Sequence, residues 1–261
     1  MYFALSEIIH IGILGAMPQE IGQAKIHLKN IKQTCYGDLK IYSGEIKSIP
    51  NQKLKCYVSI AWSGWGKVSA ARASTRIISS IYQNKTVDFV IFTGVAGSAE
   101  KTLDQWDIVI ANKIFQHDMD ATPLYPKYVI PAINSRYIEA SLNLNNWAEK
   151  VISNAIKNKT LKNFKSVCQG IVATGDRFIS DKNTLKEISK EISGLKAVEM
   201  EGASFAQVAT QEGVPWIVVR VISDKADQSA SLTFTEFLKI YELNSWNLIE
   251  TLISELKLDL I

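Results

Sequence analysis

The sequence predicts an α/β fold, a single three-layer domain with a central mixed β-sheet flanked by helices, and three observations carry that expectation. Residues 214–224, Val-Pro-Trp-Ile-Val-Val-Arg-Val-Ile-Ser-Asp, are almost continuously apolar and β-branched, follow Gly213 and are too short for a membrane span, the pattern of a strand buried on both faces. Residues 8–14 and 87–93 repeat that pattern, and each runs into a glycine-bearing turn. Residues 39–47 and 54–62 flank the turn cluster Ser48-Ile49-Pro50-Asn51-Gln52, which predicts an antiparallel hairpin and hence a mixed sheet. A chain of 261 residues, 47% hydrophobic and 21% charged, supports one domain with one large core over residues 1–261.

In chain order, the first strand ends at Gly15-Ala16-Met17 and gives way to Pro18-Gln19-Glu20-Ile21, where proline suits the first helical turn. Glu20 complements the helix dipole there. It also stands just past a strand's carboxyl end, where open α/β sheets gather ligands. The turn Ser63-Gly64-Trp65-Gly66 feeds a helix rich in alanine and serine. It lacks the third glycine of a dinucleotide fingerprint and the spacing of a P-loop, so it is expected to line a pocket and not to hold a cofactor. The strand over 87–93 ends at Gly94-Val95-Ala96-Gly97-Ser98, where small residues let the backbone approach a ligand closely.

A strand over 107–111 precedes a polar turn over 115–122, in which His117 and Asp118 have no nucleophile nearby and are assigned a structural or interface role. Residues 135–165, rich in asparagine and lysine with a helical pattern over 142–156, are read as peripheral. Residues 169–179 form another strand and polar turn, with Phe178 and Ile179 offering apolar contact to a flat ligand. Glu199 and Glu201 flank Met200 where a helix begins, a place the helix dipole favours for carboxylates. The strand over 214–224 carries one interior charge, Arg220, and ends at Ser223-Asp224. An aspartate there either caps the following turn or faces a ligand; the co-occurrence of Arg220 with the carboxylates favours the ligand. A loop over 227–234 and an amphipathic helix over 235–256 close the chain.

The net charge of +3 is scattered over helix faces and loops, which argues against a nucleic-acid partner and for a small ligand. Three cysteines, Cys35, Cys56 and Cys168, have neither disulfide nor zinc spacing, and the three histidines are not spaced as metal ligands. No cofactor and no metal are expected, and a reducing, cytoplasmic setting is. Residues 1–10 lack a basic region and contain Glu7, so no signal peptide and no membrane span are expected.

Six segments, in order along nearly the whole chain, resemble the 5′-methylthioadenosine/S-adenosylhomocysteine nucleosidases of the nucleoside phosphorylase superfamily. They are Ile11-Gly12-Ile13-Leu14-Gly15-Ala16-Met17 with Glu20; Ser63-Gly64-Trp65-Gly66-Lys67-Val68; His117-Asp118-Met119-Asp120-Ala121-Thr122; Thr174-Gly175-Asp176-Arg177-Phe178-Ile179; Val198-Glu199-Met200-Glu201; and the run from Val219 to Gln228 containing Ser223-Asp224-Lys225-Ala226-Asp227. The resemblance implies a nucleoside phosphorylase-like domain, usually a homodimer with the 117–122 loop near the partner. It implies an N-glycosyl hydrolase that cleaves 5′-methylthioadenosine, S-adenosylhomocysteine or 5′-deoxyadenosine to adenine and the sugar, in methionine salvage and nucleoside catabolism.

The resemblance also implies roles. Asp224 serves the adenine N7, Glu20 activates water and Glu201 binds the ribose hydroxyls. Phe178 and Met200 pack on base and sugar, the Ile179 backbone reads the adenine edge, and Met17 and Phe234 contact the 5′-thio group. Glu199, Arg220, Ser223, Ala96 and Gly97 complete the substrate-binding set. Two positions depart from the family pattern. Val95 stands where Ser or Thr is usual, removing a hydroxyl that could hold the water, and Ser98 replaces a second glycine. Two rival readings are a phosphate-dependent nucleoside phosphorylase, disfavoured because the 15–20 turn offers a carboxylate and no arginine to an anion, and a non-catalytic nucleoside-binding protein.

Overall fold

The computed structural model describes residues 8–46, 55–227 and 230–261. The turn cluster at 48–52, the first seven residues and Gln228 lie outside the described residues. The strands are β1 (Ile8–Gly15), β2 (Leu28–Tyr36), β3 (Leu39–Ile46), β4 (Lys55–Trp62), the two-residue pair β5 (Ile81–Tyr82) and β6 (Lys85–Thr86), β7 (Phe89–Ser98), β8 (Ile108–Gln116), β9 (Tyr137–Glu139), β10 (Val167–Thr174), β11 (Leu195–Glu199) and β12 (Trp216–Asp224). The α-helices are α1 (Pro18–Ile21), α2 (Lys67–Ile78), α3 (Leu142–Lys157), α4 (Lys182–Glu191), α5 (Gly202–Gln211), α6 (Ala230–Tyr241) and α7 (Ser245–Ser254).

The main sheet runs β11-β10-β8-β12-β7-β1-β4-β3-β2. It is mixed: β1 lies parallel to β4 and β7, and β12 parallel to β7 but antiparallel to β8, while β3 pairs antiparallel with β2 and β4 as the hairpin pattern required. The sheet also curls on itself, because β11 pairs with the end of β7 through Ala197 opposite Ser98 and Val198 opposite Gly97. That closure brings the Glu199–Glu201 segment against the ends of β7 and β12.

Alternating residues of β7 feed two cores. Phe89 and Ile91 pack with α3, α6 and α7 residues such as Leu144, Phe237 and Ile249, while Val90 and Phe92 pack with Ala73 of α2 and Phe205 of α5. Every residue of β12 is buried, as its continuous apolar run requires.

Several boundaries differ from the sequence reading, each for a physical reason. Strand β7 does not stop at Thr93 but continues through Gly94 and Gly97, because its ladder with β12 persists to Asp224. The strand over 107–111 extends to Gln116, held by β10 on its other side. The edge strand β2 carries no buried-strand pattern because most of its side chains face solvent, and α4, which buries Ile188 alone, has too thin an apolar stripe to mark it in the sequence. The closing helix is two helices: α6 begins at Ala230, inside the expected loop, and the chain breaks before α7. At that break Gly22 (φ 58°) packs so closely that a Cβ would lie 2.6 Å from the carbonyl oxygen of Glu242. Among the described residues no helix is long and apolar enough to cross a membrane.

Candidate active site

The carboxyl ends of β1, β7, β10, β11 and β12 converge on a cleft of about 530 Å³, open solvent at its mouth included. Glu20 reaches it from α1. The side chain is buried; Oε1 accepts the Val95 N–H at 3.0 Å, and Oε2 accepts the N–H groups of Met17 at 3.0 Å and Ala16 at 2.5 Å. The Met17 bond ties Glu20 back to the residue that opens α1, so Glu20 serves the helix start and faces the cleft as well. Burial raises its pKa above the ordinary 4.5, against the pull of Arg220 and of the three amides.

Arg220 sits behind the cleft and is not part of its lining. It is fully buried, its guanidinium 4.4 Å from the Phe92 ring centroid. It donates a short hydrogen bond to Glu199 and lies 3.8 Å from Glu201. The sequence displayed the charge but not its cover, which arrives only when β11 closes on β7. Gly94 makes the packing possible: a Cβ there would stand 2.4 Å from Glu20 Oε1 and 2.5 Å from Arg220 Nη1. Burial works against the charge on Arg220, but Glu199, Glu20 and Glu201 outweigh it and raise the pKa.

Glu199 is saturated by the protein itself. It also accepts the Thr174 hydroxyl and the N–H groups of Glu201 at 3.1 Å and Gly202 at 2.8 Å, so it borders the cleft chiefly as an anchor for Arg220 and the start of α5. Glu201 is freer. Its Oε1 accepts the Gly66 N–H at 2.8 Å, and burial, then the neighbouring Glu199, push its pKa up to about 8. Three buried acidic groups, Glu199, Glu20 and Glu201, thus share one guanidinium, and removing that cation would leave them facing one another. We expect Arg220→Leu to cost about 3–5 kcal/mol, the usual consequence of breaking a buried ion pair from one side. Chemical denaturation would check this, and a loss below about 1 kcal/mol would contradict it.

At the opposite end, Asp224 closes β12. It is buried, with Oδ2 accepting the Ser223 hydroxyl at 2.7 Å and Oδ1 accepting the Ala226 N–H at 2.8 Å. The second bond is the turn-capping contact its position suggested, and the carboxyl nevertheless borders the cleft. Burial raises its pKa despite both hydrogen bonds. Gly97 keeps room for this group, since a Cβ there would lie 3.1 Å from Oδ1. Ala96 and Ser223 complete that end of the lining.

The remaining walls are apolar apart from Arg177. Phe178, Ile179 and Met200 line the cleft, with Met17 and Phe234 also part of its lining. The rings of Phe178 and Phe234 meet edge to face at 5.7 Å, and Phe234 meets Trp65 at 6.3 Å. Trp65, 53% exposed, and Arg177 also line the cleft, beyond the residues the sequence marks individually. The flanking Gly64 and Gly66 (φ 83° and 90°) are the available signal for Trp65, because they mark a tight turn that only glycine adopts without strain. His117 and Asp118 lie outside the cleft lining.

This arrangement can hold a flat base between apolar walls, offer carboxyl groups at the base and the sugar, and present a third carboxylate beside a reacting carbon. Residues 10–254 match the profile of the phosphorylase superfamily. A 5′-methylthioadenosine/S-adenosylhomocysteine nucleosidase from Exiguobacterium sp. is 35% identical over 236 residues, 90% of this chain and 93% of the relative. The crystal structure of the nucleosidase of that name from Neisseria meningitidis, in complex with methylthio-immucillin-A, superposes with a TM-score of 0.81 at 32% identity, covering 95% of this chain and 99% of that one. The native structure of futalosine hydrolase from Helicobacter pylori superposes equally well, with a TM-score of 0.81 at 32% identity over 95% of this chain and 98% of that one.

Proposed function

This chain belongs to the phosphorylase superfamily and, within it, to the 5′-methylthioadenosine/S-adenosylhomocysteine nucleosidases, and from that membership we propose that it hydrolyses the N-glycosidic bond of 5′-thio-substituted adenosines. The observation that carries the reading is the placement of Glu20, Glu201 and Asp224 around one cleft at the strand ends. Breaking the bond between C1′ and N9 leaves an oxocarbenium-like sugar and sends an electron pair into the adenine, so the two halves need opposite help. Asp224 gives its proton to N7 as the base departs. Water attacks C1′ and passes a proton to Glu20, whose carboxylate is oriented by three backbone amides. Glu201 binds the ribose hydroxyls, Phe178 and Met200 pack on base and sugar, the Ile179 backbone reads the adenine edge, and Met17 with Phe234 meets the 5′-thio group.

Val95 contributes an amide to Glu20 and no hydroxyl to the water, so the carboxylate and its amides must do more of the positioning. The alternative of phosphorolysis is disfavoured by charge. An anion at the water position would face the Glu20 carboxylate, and Arg220 is buried behind the wall. We expect adenine release from methylthioadenosine to proceed at the same rate with and without phosphate. A strict phosphate requirement would overturn hydrolysis, and tight binding without release would favour a non-catalytic binding protein. No group of three or more His, Cys, Asp or Glu among the described residues could hold a metal. Chelators are therefore expected to leave the rate unchanged, and loss with recovery on adding a divalent ion would contradict this.

From the same family resemblance we infer a homodimer in the cytoplasm, with the 117–122 loop near the partner, that feeds methionine salvage and nucleoside catabolism. The likeness to a futalosine hydrolase supports testing bulkier 5′ substituents in the same substrate panel.

A further inference from the structure

The cleft has two walls on different loops, and no ladder joins their strands. Phe178 and Ile179 follow β10, while Trp65 and the Gly66 amide that holds Glu201 follow β4; in the nucleosidase reading the first pair is the base-side wall and the second the sugar-side wall. In the sheet β4 and β10 are separated by β8, β12, β7 and β1. Beside the Phe178–Phe234–Trp65 ring contacts within the cleft, a triangle of contacts outside it ties the two loops together above the sheet. The Lys67 N–H donates to Asp176 Oδ1 at 2.7 Å, the Lys67 ammonium pairs with Asp118 Oδ1 at 2.6 Å, and the Asp176 N–H donates to Asp118 Oδ2 at 2.9 Å. The chain is trimmed to fit: a Cβ on Gly66 would stand 2.9 Å from Asp176 Oδ1, and a Cβ on Gly175 would stand 2.2 Å from the His117 ring that backs the base-side loop.

We propose that Asp118 and Asp176 are positioning residues which, through Lys67, clamp the base-side wall to the sugar-side wall, so that the cleft favours an intact nucleoside over the free base. This rests on the nucleosidase reading of the cleft. Asp118 is well suited to the task, because Lys67 and the Asp176 amide outweigh the effect of burial and keep its carboxyl below the ordinary range. The clamp also gives the His117-Asp118 and Gly175-Asp176 segments a role that places neither in contact with substrate. A nucleoside touches both walls and senses their separation, whereas free adenine rests on the base side alone.

The test compares affinities for a 5′-methylthioadenosine analogue that cannot be cleaved and for adenine, by calorimetry, alongside KM, kcat and melting temperature. Asp176→Ala is expected to weaken the nucleoside by about 10-fold, the size of one charge-assisted hydrogen bond, with KM rising by a similar factor and kcat changing less. Adenine should change by less than about 2-fold. Asp176→Asn keeps an acceptor for the Lys67 N–H and should recover most of the loss. Asp118→Ala should match Asp176→Ala, and the double variant should be no worse than either, because one clamp is broken once. If an alanine variant fails to fold, Asp118→Asn, which drops only the charge, is expected to show a smaller loss confined to the nucleoside. Equal losses for nucleoside and adenine, additive losses in the double variant, or a lower melting temperature with both affinities intact would overturn the clamp. A wild-type protein that binds both ligands but releases no adenine would refute hydrolysis, and the affinity ratio would still judge the clamp. Binding of neither would refute both.

Discussion

Glu20→Gln is expected to lower adenine release by about 10²- to 10⁴-fold, the span of a lost general base, while substrate still binds. The amide keeps the shape but cannot take a proton from water. One side-chain oxygen now has to serve what two did. With it turned toward Ala16 and Met17, the new NH2 faces the Val95 N–H that Oε1 accepts in the wild type. A loss of positioning could therefore imitate a loss of chemistry, and the pH profile separates them. Because burial raises the Glu20 pKa above 4.5, wild-type kcat/KM should fall on the acid side at a pH higher than an ordinary glutamate would give. That limb should vanish from the residual rate of the Gln variant. Stability should follow the same linkage: a carboxyl with a raised folded pKa contributes stability below its unfolded value that is lost as pH rises through the folded one. The variant's melting temperature should thus gain on the wild type as pH increases. Wild-type turnover in the Gln variant would remove Glu20 from the reaction.

What could be read from sequence divides along the distance over which each feature is determined. The buried strand ending in Asp224 and the turn carrying Glu20 are legible because apolar runs, glycines and proline act within a few residues. Arg220 was visible as a charge inside an apolar strand, but its direction was not. Only the pairing of β11 with β7 shows that it meets Glu199 behind the lining. The same holds for the break between α6 and α7, against which Gly22 of a distant segment packs and which leaves no mark on helical periodicity. Strand β2 illustrates the opposite failure. Its solvent-facing side chains are polar enough to look like a loop, and the β3 ladder makes it a strand. Trp65 lies between these cases, flagged by its glycines and placed by its contact with Phe234.

Asp224→Asn is expected to cost at least about 10²-fold in kcat on adenosine-type substrates, the lower end of general acid catalysis. An aspartate at its ordinary pKa of about 3.9 would be only ~0.1% protonated at pH 7, a penalty of roughly 4 kcal/mol. Burial at the end of β12 works against that penalty by raising the pKa, although the Ser223 hydroxyl and the Ala226 amide pull the other way. The asparagine variant is informative because it can preserve both contacts. Its carbonyl oxygen still accepts the Ala226 N–H, and its NH2 can donate to a Ser223 hydroxyl that has rotated toward its second neighbour, the Ala96 carbonyl 3.3 Å away. The turn therefore survives, and the ~1 kcal/mol that a lost cap would cost is not expected. Only the transferable proton is gone. A nitrophenyl riboside, whose leaving group departs without protonation, should be cleaved by the variant with a much smaller deficit than methylthioadenosine. Since the acid must hold its proton, wild-type kcat on adenosine substrates should also fall as pH rises through the raised Asp224 pKa, a decline the nitrophenyl substrate should lack. Equal losses on both substrates would place Asp224 among the residues that merely shape the cleft, and a lower melting temperature with kcat intact would return it to the turn it caps.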